Sequence, residues 1–184
     1  MTRGAAAAAV AFVAVMPSRE RPPFVADERT QLVGWLDLQR AIVAWKCEDL
    51  SDADAHRPVL PTSPLMTAAG VVSHLRWVEH NWFEVVFLGG PAVGPAYDET
   101  VEDAEMRVEG VPLARLLDEY ARQCQVSNEI VAAHSLDAVG RHPDFRSASA
   151  TLRWMLLHML EETARHAGHL DAIRELVDGR TGYY

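Results

Sequence analysis

Lysine is nearly missing from this sequence. Lys46 is the only one in 184 residues, and the other 16 of its 17 basic side chains are arginines. Basic groups are also outnumbered by 26 acids, which leaves a net charge of -9 and a pI near 5.3. With no basic cluster anywhere along the chain, a nucleic-acid backbone would be repelled, and no nucleic-acid partner is expected. There are two cysteines, Cys47 and Cys124, far apart and without partners at metal-ligand spacing. That excludes a disulfide framework and a cysteine-ligated zinc module, and it points to reduced thiols in a cytoplasmic protein. No apolar run approaches the roughly 20 residues that a membrane-spanning helix needs, so no membrane role is expected. Strand-like alternation is scarce, and no repeat of solenoid length occurs.

Apolar residues at 49% and charged residues at 23% are ordinary for a globular protein, and the length suits one domain with a core of its own. The N-terminal stretch 1–21, "MTRGAAAAAVAFVAVMPSRER", holds one early basic residue and a short apolar run. It reads as a disordered extension or an over-called start, with Met16 as an alternative first residue, rather than as a secretion signal. Residues 22–184 are expected to form the domain. Four stretches there carry helical periodicity. The first is capped by Asp27 and runs through "ERTQLVGWLDLQRAIVAWK". The second opens at "TSPLM", with Ser63 as cap and Pro64 in the first turn, and ends at Gly89 and Gly90. The third spans Pro112 to about His134, and the fourth runs from about Ser149 to Asp178 and stops at Gly179. Between the second and third lies "PAVGPAYDETVEDAEM", rich in proline, glycine and acid. The fold class expected is all-α, a four-helix bundle with a long connection between its second and third helices.

The fourth helix carries "LHMLEETARHAGH", with three histidines and two glutamates in a stretch patterned for burial. At about 100° per residue, and with His158 as the origin, the apolar side chains from Leu152 to Val177 fall between about 60° and about 180°. Glu162 and His169 then lie close to one margin of that arc, His166 lies within it, and Glu161 and Arg165 point to solvent. A carboxylate on the margin of a buried stripe needs a compensating charge, and a divalent cation would supply one. Glu162 and His166, four residues apart, are placed to share one ion; equally, they are placed to form an ordinary ion pair. On the second helix, His74 shares an apolar stripe with Val71, Val78, Trp82 and Val85, while His80 falls on the polar side with Arg76 and Glu84. One histidine from one helix with a glutamate and a histidine from another makes a three-ligand site with open positions. His158 or His169 could close that site as a fourth ligand, or could be a satisfied boundary histidine.

The stretches "PPFVADERTQLVGWLDLQRAIVAWKCEDLSD", "VVSHLRWVEHNWFEVVFLG" and "SLDAVGRHPDFRSASATLRWMLLHMLEETARHAGHLDAIRELVDGRTG" together resemble the DinB-like superfamily of four-helix-bundle metalloproteins. The likeness is nearest to its actinobacterial DUF664, or mini-circle, branch, which also suits the arginine-rich, lysine-poor composition of a GC-rich genome. It covers nearly everything from Pro22 to Gly182. The resemblance implies a divalent metal held by His74, Glu162 and His166. Many relatives carry a second histidine at the position of Glu162, and a His-Glu-His set is similar to that of mycothiol-dependent maleylpyruvate isomerases. It further implies a low-molecular-weight thiol such as mycothiol as cosubstrate and a small-molecule substrate, hence a metal-dependent thiol S-transferase in detoxification or stress response. A metal-dependent hydrolase on the same ligands and a non-catalytic binding bundle are the alternatives. Zinc is the first choice of ion, and nickel, iron or manganese suit the same donors. His158, His169 and Asn81 are the candidates for catalytic or substrate contacts. Five tryptophans are more than the core requires, so a homodimer is considered, with Trp77, opposite the apolar stripe of its helix, as the residue that would face a second copy.

Overall fold

The structure, a computed structural model, describes residues 16–143 and 149–182. Among them the helices are α1 (Glu28–Lys46), α2 (Asp52–Ala55), α3 (Ala68–Glu79), α4 (Leu113–Ala133) and α5 (Leu152–Asp178). The only β feature among the described residues is an isolated bridge between Val139 and Thr151. α3 continues as a π-helical segment, His80–Phe87, so four long helical rods make the bundle expected from the periodicity, with α2 as a single added turn. α1 packs along α5, and α3 along α4. No helix among the described residues is long and apolar enough to cross a membrane.

The ends of the helices follow from local chemistry. Asp27 accepts from the backbone N–H of Thr30 at 3.0 Å, and Thr151 from that of Trp154 at 3.3 Å, each satisfying a donor that the first helical turn leaves free. α5 stops at Gly179, whose φ of 75° is the left-handed conformation glycine adopts without strain. The second rod starts later than its Ser63–Pro64 signal. Residues 61–66 turn instead, with Met66 donating to the Ser63 carbonyl at 3.1 Å, and Thr67 caps α3 through Gly70 N–H at 3.0 Å. A Cβ at Gly70 would lie 2.3 Å from the Leu65 carbonyl oxygen, so this close turn fits only glycine.

The π winding was not expected from the sequence. Leu88 donates to Phe83, five residues back, at 3.3 Å. Phe83 and Phe87 on this segment are buried, as is Glu79 just before it. The long connection between the second and third rods is present, and it includes two 3-10 turns, Pro95–Tyr97 and Ala104–Met106. It folds back over Trp77. The indole lies 2.1 Å from where a Gly94 Cβ would sit, and the Arg76 guanidinium is 3.4 Å from the ring centroid. Trp77 is thus half-buried against its own chain. Residues 1–15 of the expected extension, and part of the loop before α5, lie outside the described residues; Met16 packs against the core and Arg19 sits over Trp45 at 4.3 Å.

The core divides into two apolar clusters. One gathers Val43, Leu75, Tyr120 and Leu170, and the other Leu36, Phe83, Ile130 and Met159. Between them runs a polar belt. Arg40 and Glu79, both fully buried, form a bidentate pair at 2.7 and 2.7 Å. Arg40 also donates to Asp37 at 2.7 Å and to Asn128 at 2.8 Å, and Asn128 donates to Asp37 at 3.1 Å. Removing one partner of such a pair leaves an uncompensated buried charge, at a cost of about 3–5 kcal/mol. Glu79→Ala is expected to lower the urea unfolding free energy by about that amount, and Arg40→Met combined with Glu79→Met to recover most of it. A loss below about 1 kcal/mol in the single variant would show that the pair does not hold the core.

Candidate metal centre

His74 leaves α3 at the edge of its buried stripe, while Glu162 and His166 stand one turn apart on α5. The layout expected for α5 is observed: Leu152, Met155, Leu156, Met159, Ala167, Leu170 and Ile173 are buried, and Glu161 and Arg165 are exposed. The structure brings His74, Glu162 and His166 together, each offering one ligand atom, all within 4.8 Å of one another. Glu162 Oε1 lies 3.2 Å from His74 Nε2 and 3.3 Å from His166 Nε2. Ligands about 2.1 Å from a tetrahedral ion are separated by about 3.4 Å, so these two edges fit one ion without rearrangement of the backbone. Side-chain exposures of 19%, 19% and 9% leave the group half-sheltered.

The charges are consistent with an ion's place held by protons. Hydrogen bonds from His166 and then His74 keep the Glu162 carboxyl far below the usual carboxylate range, outweighing the opposing effect of burial. Burial works to lower the His74 pKa, yet hydrogen bonds to Glu162 and Glu105 outweigh it and hold His74 above its ordinary 6.5. Both His74 ring nitrogens face carboxylates, Nδ1 towards Glu105 and Nε2 towards Glu162, an arrangement that favours the protonated ring.

Glu105 is the functional neighbour that the sequence did not single out. It comes from the 3-10 turn Ala104–Met106 in the long connection, where its carboxylate accepts from His74 Nδ1 at 3.1 Å and its backbone oxygen accepts from Ser73 Oγ at 2.6 Å. A carboxylate on the outer nitrogen of a ligating imidazole fixes the tautomer and the ring direction. Nothing in the run "VEDAEM" distinguishes Glu105 from Glu102 or Asp103 before the loop is folded. The sequence reading also misses the buried Arg40 and Glu79, although Arg40 stands at helical spacing with Leu36 and Val43, and Glu79 with Val72 and Leu75.

The other candidates separate. His169 Nδ1 lies 3.4 Å from His166 Nδ1, on the side of that ring away from Glu162. Burial, then the neighbouring His166 and Arg165, lower its pKa below 6.5. His158 is not beside the trio; it stacks on Trp154 at 5.3 Å and meets Trp82 edge-on at 4.7 Å. Asn81 accepts from the Tyr97 hydroxyl at 2.5 Å. His80, expected on the polar face, is half-buried against Glu84, with Nδ1 to Oε1 at 3.0 Å. Both cysteines are buried; burial pushes the Cys47 thiol up to about 12 and the Cys124 thiol well above its ordinary value. Neither is a usable nucleophile. Two hollows of about 380 and 350 Å³ flank Met106, and no member of the trio lines either.

A family model described as mycothiol-S-transferase matches residues 31–179, which take in the whole trio and most of the bundle. The chain belongs to the mycothiol-S-transferase family. That family is DinB-like, in agreement with the resemblance read from the sequence. No curated protein and no solved structure matches the chain. Within this mycothiol-S-transferase-family bundle both of the chain's own thiols are buried.

In the metal-free protein the trio has a defined pH signature. Because folding raises the His74 pKa, its contribution is complete below about 6.5 and is lost as pH rises through the folded value. Because folding lowers the Glu162 pKa, its contribution is present above about 4.5 and is lost as pH falls through the folded value. The stabilising effect of the cluster is therefore greatest between those two ordinary values. Titration of the imidazole ring protons by NMR is expected to place His74 above 6.5 and to bring it down in Glu105→Gln; an unshifted His74 in wild type would contradict the geometry.

Proposed function

We propose that this chain is a divalent-metal-dependent thiol S-transferase that joins mycothiol, or a closely similar low-molecular-weight thiol, to an electrophilic small molecule. The observation that carries the reading is the convergence of His74 Nε2 and His166 Nε2 on one Glu162 oxygen, in a chain matched by the mycothiol-S-transferase model. His74, Glu162 and His166 would hold the ion, and the three-ligand set leaves a position for the incoming sulfur. Zinc is the favoured ion; nickel, iron and manganese accept the same donors. A bound divalent ion supplies the positive charge that keeps a thiol deprotonated at neutral pH.

The chain's own residues then have separable tasks. With an ion held by the trio, His74 would offer it an unprotonated Nε2 and would donate its Nδ1–H to Glu105, which would hold the ring in line. Glu162 brings one negative charge, so the site keeps a net charge of one positive unit with a divalent ion and two neutral imidazoles. His169 Nδ1, 3.4 Å from His166 Nδ1, would accept from that ring and orient it, and the thiol proton would pass to solvent. The sulfur lone pair then forms the bond to the electrophilic carbon while the leaving group departs with the carbon–leaving-group electron pair. We take residues 22–184 as the unit that does this and place it in the cytoplasm, where small thiols are kept reduced.

Elemental mass spectrometry on untagged protein tests the ion. About one equivalent per chain is expected in wild type, with loss in His74→Ala and Glu162→Ala, as when a ligand is removed. Mycothiol supplied with an alkyl halide should then give the S-conjugate with loss of halide, and chelation should abolish it. Wild type that is metal-free and refuses added zinc or nickel would leave Glu162 and His166 as an ion pair and end the enzyme reading. A loaded protein that consumes water instead of thiol would favour a hydrolase on the same ligands.

A further inference from the structure

α5 carries Trp154, His158, Glu162 and His166 at successive four-residue steps, and the facing rod carries His74, Val78 and Trp82 at the same spacing. Residues four apart form a ridge along a helix, so these two rows line one seam. The rods run antiparallel there, because His74 meets Glu162 and His166 while Trp82 meets His158 and Trp154. One end of the seam is the candidate metal centre. The other is an aromatic shelf in which Trp154 stacks on His158 at 19°, and Trp82 closes on His158 at 4.7 Å and on Trp154 at 5.5 Å. Eight residues separate the two ends on each rod, about 12 Å at about 1.5 Å per residue, with the apolar Val78 between them.

Packing accounts for Trp82, which lies against the core, but not for Trp154. Trp154 is 47% exposed and Leu157 beside it 50%, at a place where the core beneath is already filled by Met155, Leu156 and Met159, each buried to within 1%. A large amphipathic ring held in place by a second ring, with much of its surface open to solvent, is a ligand platform rather than a core element.

We propose that Trp82, Trp154 and His158 form the subsite for the glucosaminyl-inositol end of mycothiol, an assignment that rests on the thiol-transfer reading above. Mycothiol is a two-ended ligand: its thiol sits on an N-acetylcysteine joined by an amide to glucosamine and then inositol. Its ring systems offer C–H faces to an indole plane and hydroxyls to an imidazole. With sulfur at the trio, the cysteinyl amide passes Val78 and the sugar rings reach the shelf. The seam thus measures the thiol by its carrier, and a short thiol would fill only one end.

The test uses glucosaminyl-inositol without the cysteine, added to the full chain and followed through the five tryptophan indole N–H resonances. The signals of Trp82 and Trp154 are expected to shift, and those of Trp35, Trp45 and Trp77 to stay. The same shifts should appear in Glu162→Ala, which lacks a metal ligand, and binding should weaken at least tenfold in Trp154→Ala. In loaded enzyme, Trp154→Ala should raise KM for mycothiol at least tenfold and leave KM for N-acetylcysteine unchanged. No fragment binding, shifts at other tryptophans, or equal loss with both thiols would overturn the assignment; equal loss would assign the shelf to the electrophile. Fragment binding at the shelf in a protein that transfers no thiol would instead refute the proposed reaction and leave the subsite standing.

Discussion

Two opposite charges, Arg40 and Glu79, lie fully buried in the middle of this bundle, and the arrangement of the rods depends on satisfying them. An unpaired charge there would cost several kcal/mol, so only one axial register of α1 against the α3 rod is acceptable. Asn128 adds α4 to the same contact through Arg40 and Asp37. α5 is tied to α1 by a different device, since the buried Arg174 donates to the carbonyls of Lys46 and Glu48 at 2.6 and 2.7 Å and so caps the end of α1. A slip of one helical turn, about 5.4 Å, would take His74 out of reach of Glu162. The belt between the two apolar clusters thus sets the level at which the trio assembles.

The chemistry nearest the site was the part most legible in the sequence. α5 is a straight, uninterrupted α-helix of 27 residues, so a rotation of about 100° per residue held along its length and separated Glu162 and His166 from Glu161 and Arg165. On the facing rod the same arithmetic placed Val85 in the core but put His80 on the polar side, where the structure half-buries it; the π segment changes the rotation per residue there, and nothing in "HNWFEVVF" announces that change. Arg40 and Glu79 could have been read, since both stand at core spacing; a hydropathy pattern hides them by treating charge as surface. Glu105 could not. Its contact with His74 spans 31 residues and depends on how an irregular connection folds back, which local periodicity does not encode.

That connection also helps to orient the trio. The segment carrying Glu105 is held through its backbone by Ser73, the residue before His74, and farther back Gly94 seats it on Trp77. The imidazole is thereby oriented from a loop and from a helix together.

The near absence of lysine has a consequence for a protein placed in contact with electrophiles. Its one ε-amine, Lys46, is 5% exposed and paired with Asp171, and both thiols are buried and kept protonated. Arginine, which replaces lysine everywhere else, stays protonated and does not alkylate readily. An alkylating agent that reached the bundle would meet neither an open side-chain thiol nor an open side-chain amine, so the scaffold withholds those two nucleophiles from the very compounds its ligand is proposed to capture.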